Sequence, residues 1–144
     1  VSEDNKAVVR RFIEEVWNKG NLDAIDELIA EDHVNHDPGA AATGGGREGQ
    51  RAFVQMYRSA YPDTHIELGE VIAEGDLVAG AWTATGTHKG DLMGIAPTGR
   101  SITVTGIGID RVAGGQIVES WANYDALGML VQLGAIPAPA GAAA

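Results

Sequence analysis

The stretch "ESWANYDALGML", residues 119 to 130, holds one carboxylate, Asp125, between a strand-like run ending at Tyr124 and an apolar run starting at Ala126. Two kinds of chemistry suit it. An Asp just ahead of an apolar helical run can accept a backbone N–H and cap the helix. If Trp121, Tyr124, Leu127 and Met129 instead bury it, the same carboxyl leaves its ordinary pKa of about 3.9 and climbs toward the range useful to a general acid or base. The roles coexist if one oxygen stays free, although capping opposes the rise. A buried Asp125 would support an enzyme, and a solvent-facing one would sink the enzyme reading built on it.

Other residues invite the same scrutiny. "HVNHD" carries His33, His36 and Asp37, but in an extended segment the two imidazoles point to opposite faces, so a metal site is not expected and at least one His is structural. Alternation puts Trp82, Ala84, Gly86 and His88 on one face of a strand. There Trp82 would pack on a planar substrate and His88 would sit near a rim, or else His88 lies exposed at a hairpin end. Asn123 shares parity with Trp121 and Asp125, either to donate to a substrate oxygen or to satisfy nearby backbone. On "ITVTGIGID", Ile102, Val104, Gly106 and Gly108 share a face small enough to admit a ligand, and Thr103, Thr105, Ile107 and Ile109 share the face open to a sheet-to-sheet contact. Met56, Tyr57 and Tyr61 are expected in the core, and the adjacent Asp110 and Arg111 as a surface ion pair or turn. "TGGGREG" lacks the Lys-Ser/Thr of a phosphate-binding loop.

The elements that must position these residues change character along the chain. Val8, Val9, Phe12, Ile13, Val16 and Trp17 recur at helical spacing up to Gly20. Asn21 can cap a second helix carrying Leu22, Ile25, Leu28 and Ile29. A strand fragment and a long Gly-, Pro- and Asp-rich loop follow, then a third helix with Phe53, Val54, Tyr57 and Tyr61, stopped by Pro62. From residue 63 the period becomes strand-like, with turns at Glu74-Gly75-Asp76 and Ala113-Gly114-Gly115. Helices first and antiparallel strands afterwards predict an α+β fold, helices packed on one face of a curved sheet that can enclose a cavity.

Composition narrows the partners. The 144 residues are 44% hydrophobic and carry 20 acidic against 10 basic residues, net −10. One domain over residues 1–137 and an Ala/Pro-rich flexible tail over 138–144 are expected. The negative charge weighs against nucleic acid or an anionic membrane, and leaves a small, mostly apolar molecule as the partner. The lack of Cys excludes thiol chemistry and is compatible with a reducing cytoplasm, where the protein is expected. No run of about 18 apolar residues offers a membrane helix.

The combination "VVRRFIEEVWNKGNLDAIDELIAEDHVNHDPG" and "GTHKGDLMGIAPTGRSITVTGIGIDRVAGGQIVESWANYDALGMLVQLGAIP" resembles the SnoaL-like polyketide cyclase family of the nuclear-transport-factor-2-like (NTF2-like) superfamily, over nearly the whole chain. The resemblance implies a cone-shaped α+β barrel with a deep apolar pocket, and a homodimer through the outer sheet face. It implies an intramolecular aldol ring closure on an apolar or polycyclic carbonyl compound, with no metal or organic cofactor. Asp125 in "WANYDALGM" matches the family's acid/base, Gly108 falls where some members carry a carbonyl-polarising His, and the resemblance implies His36, where members often hold polar residues at the mouth of the barrel, as the pocket candidate in an orienting or proton-sharing role. The same fold also hosts isomerases, dehydratases, epoxide hydrolases, hydroxylases and non-catalytic binding or dimerisation modules.

Overall fold

The computed structural model describes residues 2–138, so the tail expected over 138–144 lies, from Pro139 on, outside the described residues. Helix α1 (Ser2–Arg11) runs directly into a π-helical segment, Phe12–Asn18. Its wider i→i+5 bonding brings residues five apart onto one face, so Phe12, Ile13 and Trp17 all border the interior. The second helix is shorter than its apolar spacing predicts. A 3-10 turn (Leu22–Ala24) leads into α2 (Ile25–Leu28), Asn21 makes no side-chain cap, and Ile29 already opens strand β1 (Ile29–Asn35). Ile29 keeps its burial in either geometry, which is why spacing did not reveal the switch. A 3-10 turn over Pro38–Ala42 and helix α3 (Gly46–Ala60) follow.

Strands β2 (His65–Glu74), β3 (Leu77–Thr87), β4 (Ser101–Ala113) and β5 (Gln116–Tyr124) then form the sheet, closed by the short helix α4 (Ala126–Gln132). Strand order is β1-β5-β4-β3-β2. The predicted hairpins hold, turning at Gly75 and at Gly114-Gly115, whose positive φ angles suit glycine. The sheet is not wholly antiparallel, because β1 joins the edge of β5 in parallel, a pairing between distant segments that local pattern cannot show. Register shifts between Leu68 and Val71, and between Arg111 and Val112, bend the sheet around the helices.

One end of the enclosed space is filled. Val16, Ile25, Ile29, Val54, Val78 and Ile117 pack there, each at most 1% exposed. Burying a side chain of this kind contributes roughly 1.5–3 kcal/mol. A second cluster, including Ala60, Tyr61, Leu92, Ile102, Val104 and Met129, closes the opposite side. Between them the sheet carries too little side-chain volume to fill the cone.

Candidate active site

The register across β3, β4 and β5 explains the space. Trp82, Gly106 and Tyr124 form one row, Gly80, Gly108 and Ala122 the next, and Val78, Asp110 and Ser120 the third. The middle row has almost no side chain. The result is a largely apolar cavity of about 190 Å³, walled on the helical side by Val9, Phe12, Ile13, Trp17, Phe53 and Tyr57. Gly106 has a separate duty, since a Cβ there would lie 2.3 Å from Trp82 Cζ2. The missing side chain lets the Trp82 indole lie across β4 toward Tyr124, ring centroids 6.3 Å apart. At Gly108 the nearest atom to such a Cβ is the Trp121 carbonyl oxygen at 3.5 Å, so that position is open.

Asp110 is the carboxylate that this cavity perturbs most. It ends the inward-facing series Ile102, Val104, Gly106, Gly108, and burial pushes its pKa up to about 6, against a smaller lowering by the Ser120 hydroxyl. Ser120 Oγ donates to Asp110 Oδ1 at 2.6 Å, and His33 Nε2 lies 2.9 Å from the same Oγ. With the serine proton committed to Asp110, His33 must donate through Nε2. Burial lowers the His33 pKa to about 4, which keeps the imidazole neutral near pH 7. The neighbouring Arg111 points the other way, paired with Asp76 at 2.8 Å and Glu119 at 3.2 Å.

A second carboxyl, Asp37, also borders the cavity. It accepts from Gly39 N at 2.8 Å, while its own N–H donates to Asn35 Oδ1 at 2.9 Å. Burial raises its pKa, and the Gly39 bond opposes the rise. Three phenols line the same space: Tyr57 and Tyr124 join hydroxyl to hydroxyl at 2.7 Å, and Tyr61 has a buried hydroxyl with no partner among the described residues. An unmade buried hydrogen bond costs about 1–3 kcal/mol. Burial raises the pKa of Tyr57 strongly and that of Tyr61 to about 12, so both keep their protons near neutrality.

The expected site residues divide. Trp82, Gly108 and Trp121 border the cavity, although the Trp121 indole stacks on His36 with ring centroids 5.0 Å apart. His36 is exposed and bonds Glu119 Oε2 at 2.7 Å, on the outer side rather than inside. Asn123 and Asp125 are exposed and border a groove on the outer sheet face, with Ile107 and Ile109. Asp125 caps α4, accepting from Gly128 N at 2.8 Å. The physical reason is parity: Asn123 and Asp125 border only the outer groove and Ser120 only the cavity, while Trp121, Ala122 and Tyr124 border both. Asp125 therefore faces solvent and not a buried pocket, which removes the enzyme reading built on its burial; among the described residues the carboxylates that border the cavity are Asp37 and Asp110.

His88 is neither exposed nor at a rim. It is fully buried just beyond β3, against Tyr61, and its Nδ1 accepts from Thr98 N at 3.2 Å. That bond leaves the proton on Nε2, which has no partner among the described residues. His88 also fastens the β3–β4 connection through its backbone, donating to Arg100 O at 2.9 Å and accepting from Gly99 N at 2.8 Å. Among the described residues no three His, Asp or Glu side chains cluster in a way that could hold a metal, and no helix is long and apolar enough to cross a membrane.

Sequence reasoning missed Asp110, Asp37, Ser120 and the three tyrosines as site residues. For Asp110 the signal was present in its parity with Ile102 and Val104. For Tyr57 and Tyr61 the helical spacing marked burial correctly, but not that their hydroxyls gather with that of Tyr124.

Comparison with known proteins agrees with this architecture. The SnoaL-like polyketide cyclase family model matches residues 7–133. Aklanonic acid methyl ester cyclase DnrD from Streptomyces peucetius is 32% identical over 133 residues, 88% of each chain. Among solved structures, IdmH from Streptomyces antibioticus, a candidate polyketide cyclase, is 36% identical with a TM-score of 0.79, covering 90% of this chain and 98% of its own. A candidate polyketide cyclase from Acidithiobacillus ferrooxidans is 33% identical with a TM-score of 0.82, covering 94% and 97%. An α+β cone around an apolar cavity, matched along nearly its whole length by such proteins, identifies the chain as a member of the SnoaL-like polyketide cyclase family.

Proposed function

We propose that this protein closes a ring in a polyketide-type carbonyl compound by cofactor-independent intramolecular aldol condensation, with Asp110 as general base and then general acid. The observation that carries the proposal is the position of Asp110: a carboxyl in an apolar cavity, raised to about 6, is ionised near neutrality yet basic enough to take a proton from carbon. The Asp110 carboxylate removes a proton from a carbon flanked by carbonyl groups. The resulting enolate carbon bonds to a second carbonyl carbon of the same molecule. The alkoxide so formed takes the proton back from the Asp110 carboxylic acid, so the product is an isomer of the substrate. Ser120, oriented by His33, holds the Asp110 carboxyl and leaves its second oxygen for the substrate.

The substrate class follows from the cavity and from the relative. Trp82, Trp17, Phe53 and the glycine row favour a flat, multi-ring, largely uncharged molecule, and an acid methyl ester, as in the name of the DnrD relative, removes the acid charge that a carboxylate-lined site would repel. Substituted aromatic polyketide methyl esters are the compounds to assay, with cyclised product followed by absorbance and chromatography. Full activity in Asp110→Asn would defeat the proposal.

The same reading includes a homodimer. Ile107 is 62% and Ile109 38% exposed on the outer sheet face, beside Thr83 and Thr105. A second copy of the chain is the occupant that covers this apolar strip, and light scattering of the purified protein tests it.

A further inference from the structure

We infer that the paired hydroxyls of Tyr57 and Tyr124 form the oxyanion-binding element of the cavity, donating a hydrogen bond to the substrate oxygen that becomes negative during reaction. The inference rests on the proposed cyclase reading and supplies the group that Gly108, lacking a side chain, does not.

The argument begins with a count of protons. Each phenol has a single O–H, and neither hydroxyl bonds any other of the described residues. In a pair 2.7 Å apart, one O–H is used to reach the other oxygen. The second O–H has no acceptor among the described residues, and the pair borders the cavity. A donor in an apolar enclosure with nothing to donate to is prepared for a ligand acceptor, and its strength rises because its own oxygen already accepts a bond.

Placement agrees. Tyr124 lies in the Trp82–Gly106–Tyr124 row, with the Gly80–Gly108–Ala122 row between it and Asp110. From Gly106 to Asp110 is four residues, about 13 Å of strand, a span over which a conjugated multi-ring substrate spreads the enolate charge from the carbon deprotonated by Asp110 to a remote carbonyl oxygen at the phenols. The Tyr57 ring is fixed edge-on to Phe53 at 5.2 Å and to Tyr124 at 6.4 Å, so little reorganisation is needed. Because burial raises the Tyr57 pKa strongly, the hydroxyl donates without giving up its proton. Asp37 belongs to the same neighbourhood, since its Oδ1 and the Tyr57 hydroxyl lie 3.3 and 3.5 Å from one point, the place of a Cβ on Gly39.

The test uses 2-naphthol, a flat aromatic that ionises to an oxyanion and whose two forms fluoresce differently. Binding to wild type, Tyr57→Phe, Tyr124→Phe and Asp110→Asn is followed across pH, and circular dichroism confirms the fold of each. The expected result is that naphtholate binding relative to neutral naphthol is stronger in Asp110→Asn, which removes one cavity charge, than in wild type, and that each Tyr→Phe change lowers this ratio at least tenfold while neutral naphthol binds as before. An unchanged preference in both Tyr→Phe variants overturns the inference. So does failure of wild type to bind the ionised form. If a Tyr→Phe variant does not fold, 3-fluorotyrosine at that position replaces it, and the preference should shift with the more acidic phenol; no shift overturns the inference. The readout needs no turnover, so failure of the aldol reading would appear separately, as absent cyclisation despite intact naphtholate binding.

Discussion

Replacing Asp110 by Asn should make the protein more stable and less active at once. In the unfolded chain this carboxyl ionises near its ordinary 3.8, whereas in the cavity it holds its proton to about 6. Between those values the folded state binds more protons than the unfolded one, so stability falls as pH rises through the window and stays low above it. A difference of about two pKa units at 1.36 kcal/mol each sets an upper bound near 3 kcal/mol, reduced by whatever water enters the cavity. Asn carries no charge to desolvate and keeps an oxygen to accept from Ser120. The variant should therefore exceed wild type by about 1–3 kcal/mol at roughly pH 8, and the two should converge below about pH 4. Urea unfolding at a series of pH values measures this, and cyclisation by the same samples should fall at least about 100-fold. Equal stability at all pH values would refute the desolvation argument, and full activity would refute the catalytic one.

Other predictions follow from particular contacts. Gly106→Ala places a Cβ inside the Trp82 ring and should cost about 1–3 kcal/mol in chemical unfolding, with altered tryptophan fluorescence, whereas Gly108→Ala meets nothing closer than 3.5 Å and should fold as wild type. Asp125→Ala should lose about 1 kcal/mol of stability with the loss of the α4 cap, while Asp125→Asn loses little, and neither should change kcat for cyclisation. Ile107→Lys, on the exposed strip, should convert a dimer to a monomer by light scattering without loss of secondary structure.

The fold was legible in the sequence wherever periodicity and turn chemistry acted locally: the stripe from Val8 to Trp17, the helix carrying Phe53 and Tyr57, and hairpins turning at Gly75 and Gly114. What local pattern could not supply was the parallel edge strand, because Ile29–Asn35 finds its partner in β5, far along the chain. The site was legible only up to a choice of face. Alternation correctly grouped Trp121, Asn123 and Asp125, but period-two spacing says which residues share a side, never which side is inside. The last strand offers aromatics on both faces, Trp121 outward on His36 and Tyr124 inward on Tyr57, so hydrophobicity could not break the tie. Asp110 was obscured by Arg111: the two were expected as a surface pair or turn, but Arg111 pairs with Asp76 and Glu119 while Asp110 turns into the cavity. The buried hydroxyl pair is a meeting of α3 with β5 that only the assembled cone creates.

The central claim is that the cavity carboxylate Asp110 drives cyclisation, and the dependence of kcat/KM on pH for an aromatic polyketide methyl ester tests it most directly. The account predicts a rate that rises with the ionisation of Asp110, with a midpoint near 6 in wild type, and loss of that limb in Asp110→Asn. A kcat/KM independent of pH between about 4 and 8, or a limb that survives in Asp110→Asn, would contradict it.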